Sequence, residues 1–221
     1  MNFNPIDLRT WERKPYFEHF LNNTRCTFSM TANLDITKVL ERTYAEEIKF
    51  YPTFIYMVMR VVNSQVEFRT CFDREGKLGY WEYMMPSYTI FHNDNKTFSS
   101  LWTEYEVDFQ SFYKKYEEDM NQYGHVKELS PKKQASENLI PISCIPWTTF
   151  TGFNLNIFNE GTFLLPIITG GKYFNQESKV MLPISLQVHH AVCDGYHASY
   201  FFNELQRLAY TCDDWMQSHC C

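Results

Sequence analysis

With 221 residues, a net charge of −6 and no cluster of Lys and Arg, the chain lacks the concentrated basic surface that nucleic-acid binding needs. No apolar run approaches the roughly 20 residues of a membrane helix, and Met1-Asn2-Phe3-Asn4-Pro5 is no basic-then-apolar secretory leader, so a cytoplasmic address without membrane contact is expected. The length suits a single domain over residues 1–221, able to bury roughly 70–75% of its unfolded surface without disulfides or structural metal.

In chain order, Glu12 to Asn22 reads as a short helix with Pro15 near its first turn. Thr24 to Leu34 alternates, Cys26, Phe28 and Met30 against Arg25, Thr27 and Ser29, as a strand does. Asp35 to Glu47 turns to helical spacing, with Asp35 as its cap. Pro52 to Gln65 is a strongly apolar helix opening on proline. Short aromatic and β-branched runs from Phe68 to Tyr105, broken by turns such as Asp73-Arg74-Glu75-Gly76, predict antiparallel strands. Asp108 to Tyr123 is an amphipathic helix ending at Gly124, and the polar, Pro131-bearing stretch from Lys127 to Asn138 is an exposed loop. Strands return at Thr162–Thr169 and Val180–His189, before a last helix from about Tyr196 to Tyr210. Together these predict an α/β (α+β) architecture, a two-layer sandwich of helices packed on one face of a large mixed sheet. The aromatic share of 18% supplies area for a core and for a pocket taking an aromatic ligand.

Seven cysteines stand at Cys26, Cys71, Cys144, Cys193, Cys212, Cys220 and Cys221. Their number is odd, their spacing irregular and no C-x-x-C occurs, so free thiols are expected. His219-Cys220-Cys221 has metal-binding residue types, but a frayed terminus is the simpler reading.

The most informative stretch is Gln187-Val188-His189-His190-Ala191-Val192-Cys193-Asp194-Gly195-Tyr196-His197. Met181 to Val188 alternates as a strand and His197 to Leu208 has helical spacing, so the two histidines fall at a strand-to-helix junction, where functional groups are commonly presented. Gly195 is expected to take a positive φ and sharpen the turn. Histidine's ordinary pKa of ~6.5 suits it to take and return a proton near neutral pH. Rival readings remain at this point. His190, Asp194 and His197 are metal-ligand types, although Gly195 interrupts the helical face they would need. Cys193 is a nucleophile type or a small buried residue. Both histidines are also compatible with purely structural roles, and successive side chains of a strand cannot face one site together.

That run, Q-V-H-H-A-V-C-D-G-Y-H, resembles the active-site signature of chloramphenicol acetyltransferases, and its shorter form H-x-x-x-D-G is shared with dihydrolipoyl acyltransferase catalytic domains and peptide-synthetase condensation domains. The resemblance covers nearly the whole chain. It implies the CoA-dependent acyltransferase fold and acetyl transfer from acetyl-CoA, the co-substrate, to the primary (3-) hydroxyl of chloramphenicol, with no metal. A related O-acyltransferase acting on a different hydroxylated acceptor is the alternative. It implies His190 as general base and His189 as structural, and Trp11-Glu12-Arg13 matches the segment whose arginine, here Arg13, pairs with Asp194 to fix the turn. Ser143-Cys144-Ile145-Pro146-Trp147 matches the segment whose serine, Ser143, bonds the oxyanion. Trp147, Thr169, Lys172 and Tyr173, joined by Lys49, are implied as the coenzyme A tunnel, and Phe20, Cys26, Phe98, Phe153 and Leu155 as the drug pocket. Some relatives carry tyrosine where Phe20 stands, so a hydrogen bond from that hydroxyl is missing here. Relatives are trimers with each site at a subunit interface, which implies a homotrimer.

Overall fold

The structure, a computed structural model, describes residues 2–133, 136–157 and 161–217, so the His219-Cys220-Cys221 cluster lies outside the described residues. Alternation in the sequence becomes two sheets. The smaller, antiparallel throughout, has the order β1 (Phe3–Pro5), β4 (Leu78–Trp81), β3 (Thr70–Phe72). The larger runs β2 (Thr27–Asp35), β10 (Lys179–His189), β8 (Ile167–Gly170), β7 (Leu139–Cys144), β5 (Met85–His92), β6 (Thr97–Trp102), with β9 (Phe174–Gln176) added beside the start of β10. β5 pairs parallel with β7 and β7 parallel with β8, whereas β10 is antiparallel to its partners and β6 to β5, so the sheet is mixed as expected.

The helices are α1 (Lys14–Glu18), α2 (Thr37–Ala45), α3 (Phe50–Ser64), α4 (Phe109–Tyr123), α5 (Gly195–Tyr210) and α6 (Cys212–Met216). α3 is apolar all round, which a helix affords only when surrounded. It packs between α2, α4 and α5 and against β5, with Ile55, Val58, Met59 and Val62 fully buried. Each such side chain contributes about 1.5–3 kcal/mol relative to exposure. α2, α4 and α5 close on the same sheet through β10, β6 and β2, giving the two expected layers.

Local chemistry explains the element ends. Asp35 is the last residue of β2 rather than the cap itself, yet its Oδ1 still accepts from Thr37 N at 3.1 Å and Thr37 Oγ1 at 2.7 Å. Asp108 caps α4 by accepting from Ser111 N at 2.8 Å, and the helix stops at Gly124. β7 is a strand that the sequence did not announce: Pro141 sits in its middle and supplies no ladder donor. The short β1, β9 and α6 were likewise unanticipated.

One irregularity in the sheet matters for the site. β5 and β7 pair from Met85↔Leu139 to Tyr88↔Ile142. Beyond that β5 continues to His92 alongside β6, while β7 continues to Cys144 alongside β8. The two strands part, and the sheet opens between them.

Candidate active site

β10 ends at His189, opposite Thr27 of β2, and the chain then folds into a tight turn. His190 N donates to Cys26 O at 2.8 Å, and Val192 N and Cys193 N both donate to His189 O, at 3.1 and 3.0 Å. The His189 ring is buried with its Nδ1 accepting from Ala191 N at 3.1 Å, and burial lowers its pKa from the ordinary histidine value. It is a structural member of the turn.

His190 is half-buried and differently held. Its Nδ1 lies 3.1 Å from Cys193 O. A carbonyl can only accept, so in the neutral ring Nδ1 carries the hydrogen and Nε2 is left with the lone pair. Phe20 stacks on the imidazole at 3.9 Å and 3° between planes, and Phe28 meets it edge-on at 5.3 Å. Phe20 comes from a single π-helical turn, His19–Asn23, that follows α1; such insertions recur at functional sites.

Arg13, the residue before α1, ties the turn down. It donates from Nε to Ala191 O at 3.1 Å, from Nη1 to Asp194 Oδ2 at 3.1 Å and from Nη2 to His190 O at 3.3 Å. Asp194 caps α5, its Oδ1 accepting from Tyr196 N at 3.0 Å, and it is matched by His197 in a reciprocal capping box. Burial works against the Asp194 carboxylate, but the Arg13 hydrogen bond, the charges of His197 and Arg13 and the Tyr196 N–H together hold its pKa below the ordinary value. Gly195 does not take the positive φ expected of it; among the described glycines only Gly76 and Gly161 do. As the first residue of α5 it is helical, and the sharp turn is made instead by residues 190–193 under Arg13.

The parted strands form the second half of the site. Ser143, Thr169 and Ser185 fall in one row across β7, β8 and β10, so their side chains share a face. Ser143 Oγ and Thr169 Oγ1 are 2.9 Å apart, with Thr169 fully buried. On the opposite face Ile142, Ile168 and Ile184 belong to the core, and a Cβ added to Gly170 would stand 3.4 Å from the Phe54 ring. A cavity of about 1010 Å³ passes through the opening. It is lined on the helix side by Tyr51, Phe54, Tyr116 and Met120, and elsewhere by Ser143, Phe98 and Leu155. Trp147, Lys172 and Tyr173 line it as well; Trp147 packs edge-on against Phe91 at 4.5 Å and is 59% exposed, which puts it at the mouth. Burial pushes the Cys144 thiol in its wall up to about 11.

The residues marked in the sequence therefore gather in two places. Phe20 and Cys26 join His190 at the turn, with Arg13 and Asp194 behind it. Ser143, Phe98, Leu155, Trp147, Lys172 and Tyr173 line the cavity. Thr169 stands behind Ser143 rather than in the lining, and Phe153 offers its carbonyl to Ser185 Oγ at 2.6 Å. Lys49, at the cap of α3, is exposed, with Nζ 4.0 Å from Glu117 Oε1. His190 is not among the residues lining the cavity. It lies five residues beyond Ser185 and two strands from Ser143; at ~3.3 Å per residue and ~4.8 Å per strand, that is on the order of 15–20 Å.

Comparison with known proteins bears on the chain as a whole. The profile of the family described as chloramphenicol acetyltransferase matches residues 1–206. The chain belongs to the chloramphenicol acetyltransferase family. A chloramphenicol acetyltransferase of Clostridium butyricum is 57% identical over 218 residues, 99% of this chain and 100% of the relative. A solved chloramphenicol acetyltransferase superposes with a TM-score of 0.82 at 24% identity, covering 94% of this chain and 100% of its own. The cubic core of a pyruvate dehydrogenase multienzyme complex shares the fold at a TM-score of 0.60 and 16% identity, covering 86% and 84%.

Three further residues hold these segments in place: Gln187 and His197, both within the signature but given no such role there, and Glu67, which the sequence did not mark. Gln187 Oε1 accepts from Leu155 N at 3.1 Å and from Ser29 Oγ at 3.3 Å, fixing the segment that lines the cavity. Its signal was a polar side chain alternating with Ser185 on a strand otherwise apolar. Glu67, in the 3-10 turn Glu67–Arg69, and His197 meet behind the His190 turn at 3.6 Å. Nothing in the sequence brings positions 67 and 197 together.

Proposed function

We propose that the chain transfers the acetyl group of acetyl-CoA to the primary hydroxyl of chloramphenicol, inactivating the antibiotic. One observation carries the reading: His190 gives its Nδ1 hydrogen to the Cys193 carbonyl, so the Nε2 lone pair is free to act as a base. The family membership supplies the acceptor and the co-substrate.

In the proposed mechanism Nε2 removes the hydroxyl proton as the oxygen attacks the thioester carbonyl. Ser143 Oγ donates to the oxyanion of the tetrahedral intermediate, and Thr169 orients that hydroxyl. The intermediate collapses, the C–S bond breaks, and the imidazolium returns its proton to the departing thiolate. No acyl-enzyme forms, because both substrates meet at one base. The cavity through the sheet suits the long pantetheine arm, and of the residues lining it we assign Trp147, Tyr173 and Lys172 to the coenzyme and Phe98 and Leu155 to the drug. Lys49 adds a cationic group near the coenzyme's phosphates.

His190 and Ser143 are too far apart in one copy to serve the same reaction, so we place the complete site between copies. The His190 turn, with Phe20 and Cys26, faces the cavity of a neighbour in a cytoplasmic homotrimer of single-domain subunits. Closed cyclic symmetry repeats that junction at every interface. The test is thiol release from acetyl-CoA with and without chloramphenicol, for wild type and His190→Ala. Drug-dependent release by the wild type and its loss in the folded variant are expected. No drug-dependent release by the wild type removes the acceptor, and an unimpaired variant removes the base.

A further inference from the structure

The peptide group joining Cys193 to Asp194 is gripped at both ends by imidazoles. Its carbonyl accepts from His190 Nδ1 at 3.1 Å, and its N–H donates to His197 Nδ1 at 3.2 Å. On the far side His197 Nε2 faces Glu67 Oε1 at 3.6 Å. All the donors point one way: His197 Nε2–H toward Glu67, Asp194 N–H toward His197, His190 Nδ1–H toward the Cys193 carbonyl. Hydrogen bonds at the two ends of one peptide polarise each other, and partners behind a functional histidine fix its tautomer. We propose that His197 is a positioning residue that, through the 193–194 peptide group, holds His190 in the tautomer with a free Nε2. This rests on His190 being the base proposed above.

The relay requires a neutral His197. The groups facing it are Glu67 from the 3-10 turn, Asp194 and Tyr196 from its own turn, Arg13 from the start of α1, and the buried Cys193 thiol between Glu67 and Asp194. Asp194 Oδ1 stands 3.0 Å from Nδ1. A proton arriving on Nδ1 is drawn to that carboxylate, and the ring then has no lone pair for the Asp194 N–H. Contact with Glu67, opposed by burial and reinforced by the charge of Asp194, raises the His197 pKa from the ordinary histidine value. The relay is intact above that raised pKa and breaks as pH falls through it. Turnover is thereby expected to fall as His197 takes its proton.

Two variants test this. His197→Asn places an amide oxygen where Nδ1 was and cannot gain charge, whereas His197→Leu fills the space without an acceptor. For His197→Leu we expect kcat to fall about 10–100-fold with KM within about twofold, and the His190 ring nitrogens, read by ¹⁵N NMR at pH 8, to move toward a mixture of tautomers. His197→Asn is expected to keep most of the activity, with its acid limb of kcat displaced to lower pH. Wild-type kcat and an unchanged His190 tautomer in His197→Leu overturn the proposal, as does an acid limb in His197→Asn that superimposes on the wild type. Should His197→Leu not fold, the His197→Asn profile decides alone. The tautomer is read without substrate, so a shift there in a protein shown to lack His190 catalysis upholds the relay and removes only the base.

Discussion

Ser143 shows how much of a residue's role depends on a neighbour across the sheet. Its hydroxyl lies 2.9 Å from Thr169 Oγ1, so if Thr169 donates, one of the two acceptor lone pairs of Ser143 is used for aim and its single O–H remains for the proposed oxyanion. Ser143→Ala is predicted to lower kcat by about 10²–10³ with little change in KM, the loss of a single oxyanion donor. Thr169→Val, isosteric but without the hydroxyl, is predicted to reduce kcat by less and in the same direction. Steady-state kinetics at saturating acetyl-CoA check both, and a Ser143→Ala kcat within a few-fold of wild type contradicts the assignment. The Ser143 segment was legible through its family signature. The Thr169 partnership was not, because pairing of Ser143 with Thr169 is a matter of strand register, and register leaves no local mark when both strands are short.

At the scale of elements, β10, its turn and α5 form one device. The alternation from Met181 to Val188 and the helical spacing from His197 to Leu208 made both elements readable. The mechanism of the turn was not: the expected glycine bend is replaced by an arginine reaching 177–181 residues along the chain to two carbonyls and a carboxylate. β7 was hidden by Pro141, and with it the gap between β5 and β7 that makes the cavity. Asp194→Asn separates the charge from the cap, since asparagine caps a helix about as well as aspartate. The Asp194 side chain is 39% exposed, so screening limits the loss to about 1 kcal/mol, a fall in Tm of about 2–4 °C at pH 7. The sign with pH follows from a folded-state pKa lying below the unfolded one. The ion pair stabilises fully above the unfolded value of about 3.9 and is lost as pH falls through the lower, folded value. The Tm difference between wild type and variant should therefore hold from pH 7 to about pH 5 and close below about pH 4. Scanning calorimetry across that range checks it; a difference that persists in strong acid contradicts the charge pairing.

For the whole molecule, the sheet that builds each half of the site also keeps them apart. The strand-end turn and the parted strands belong to one rigid β10–β8–β7 ladder, so no local motion brings His190 to Ser143. The exposed apolar groups around the opening, Phe98, Trp147, Leu155 and Tyr173, give a neighbouring copy a surface to cover. Neither feature was visible in composition or periodicity; the trimer was an expectation from resemblance alone, and the separation within one copy supports the proposal that the site is completed by another. The direct measurement is complementation between two inactive variants. His190→Ala and Ser143→Ala subunits, unfolded together and refolded as mixed assemblies, should regain about one quarter of the wild-type rate of chloramphenicol-dependent thiol release, because about one interface in four then pairs an intact His190 with an intact Ser143. Separately refolded variants should stay inactive. If the mixed assemblies are no more active than the two variants apart, His190 and Ser143 do not meet across subunits and the account fails.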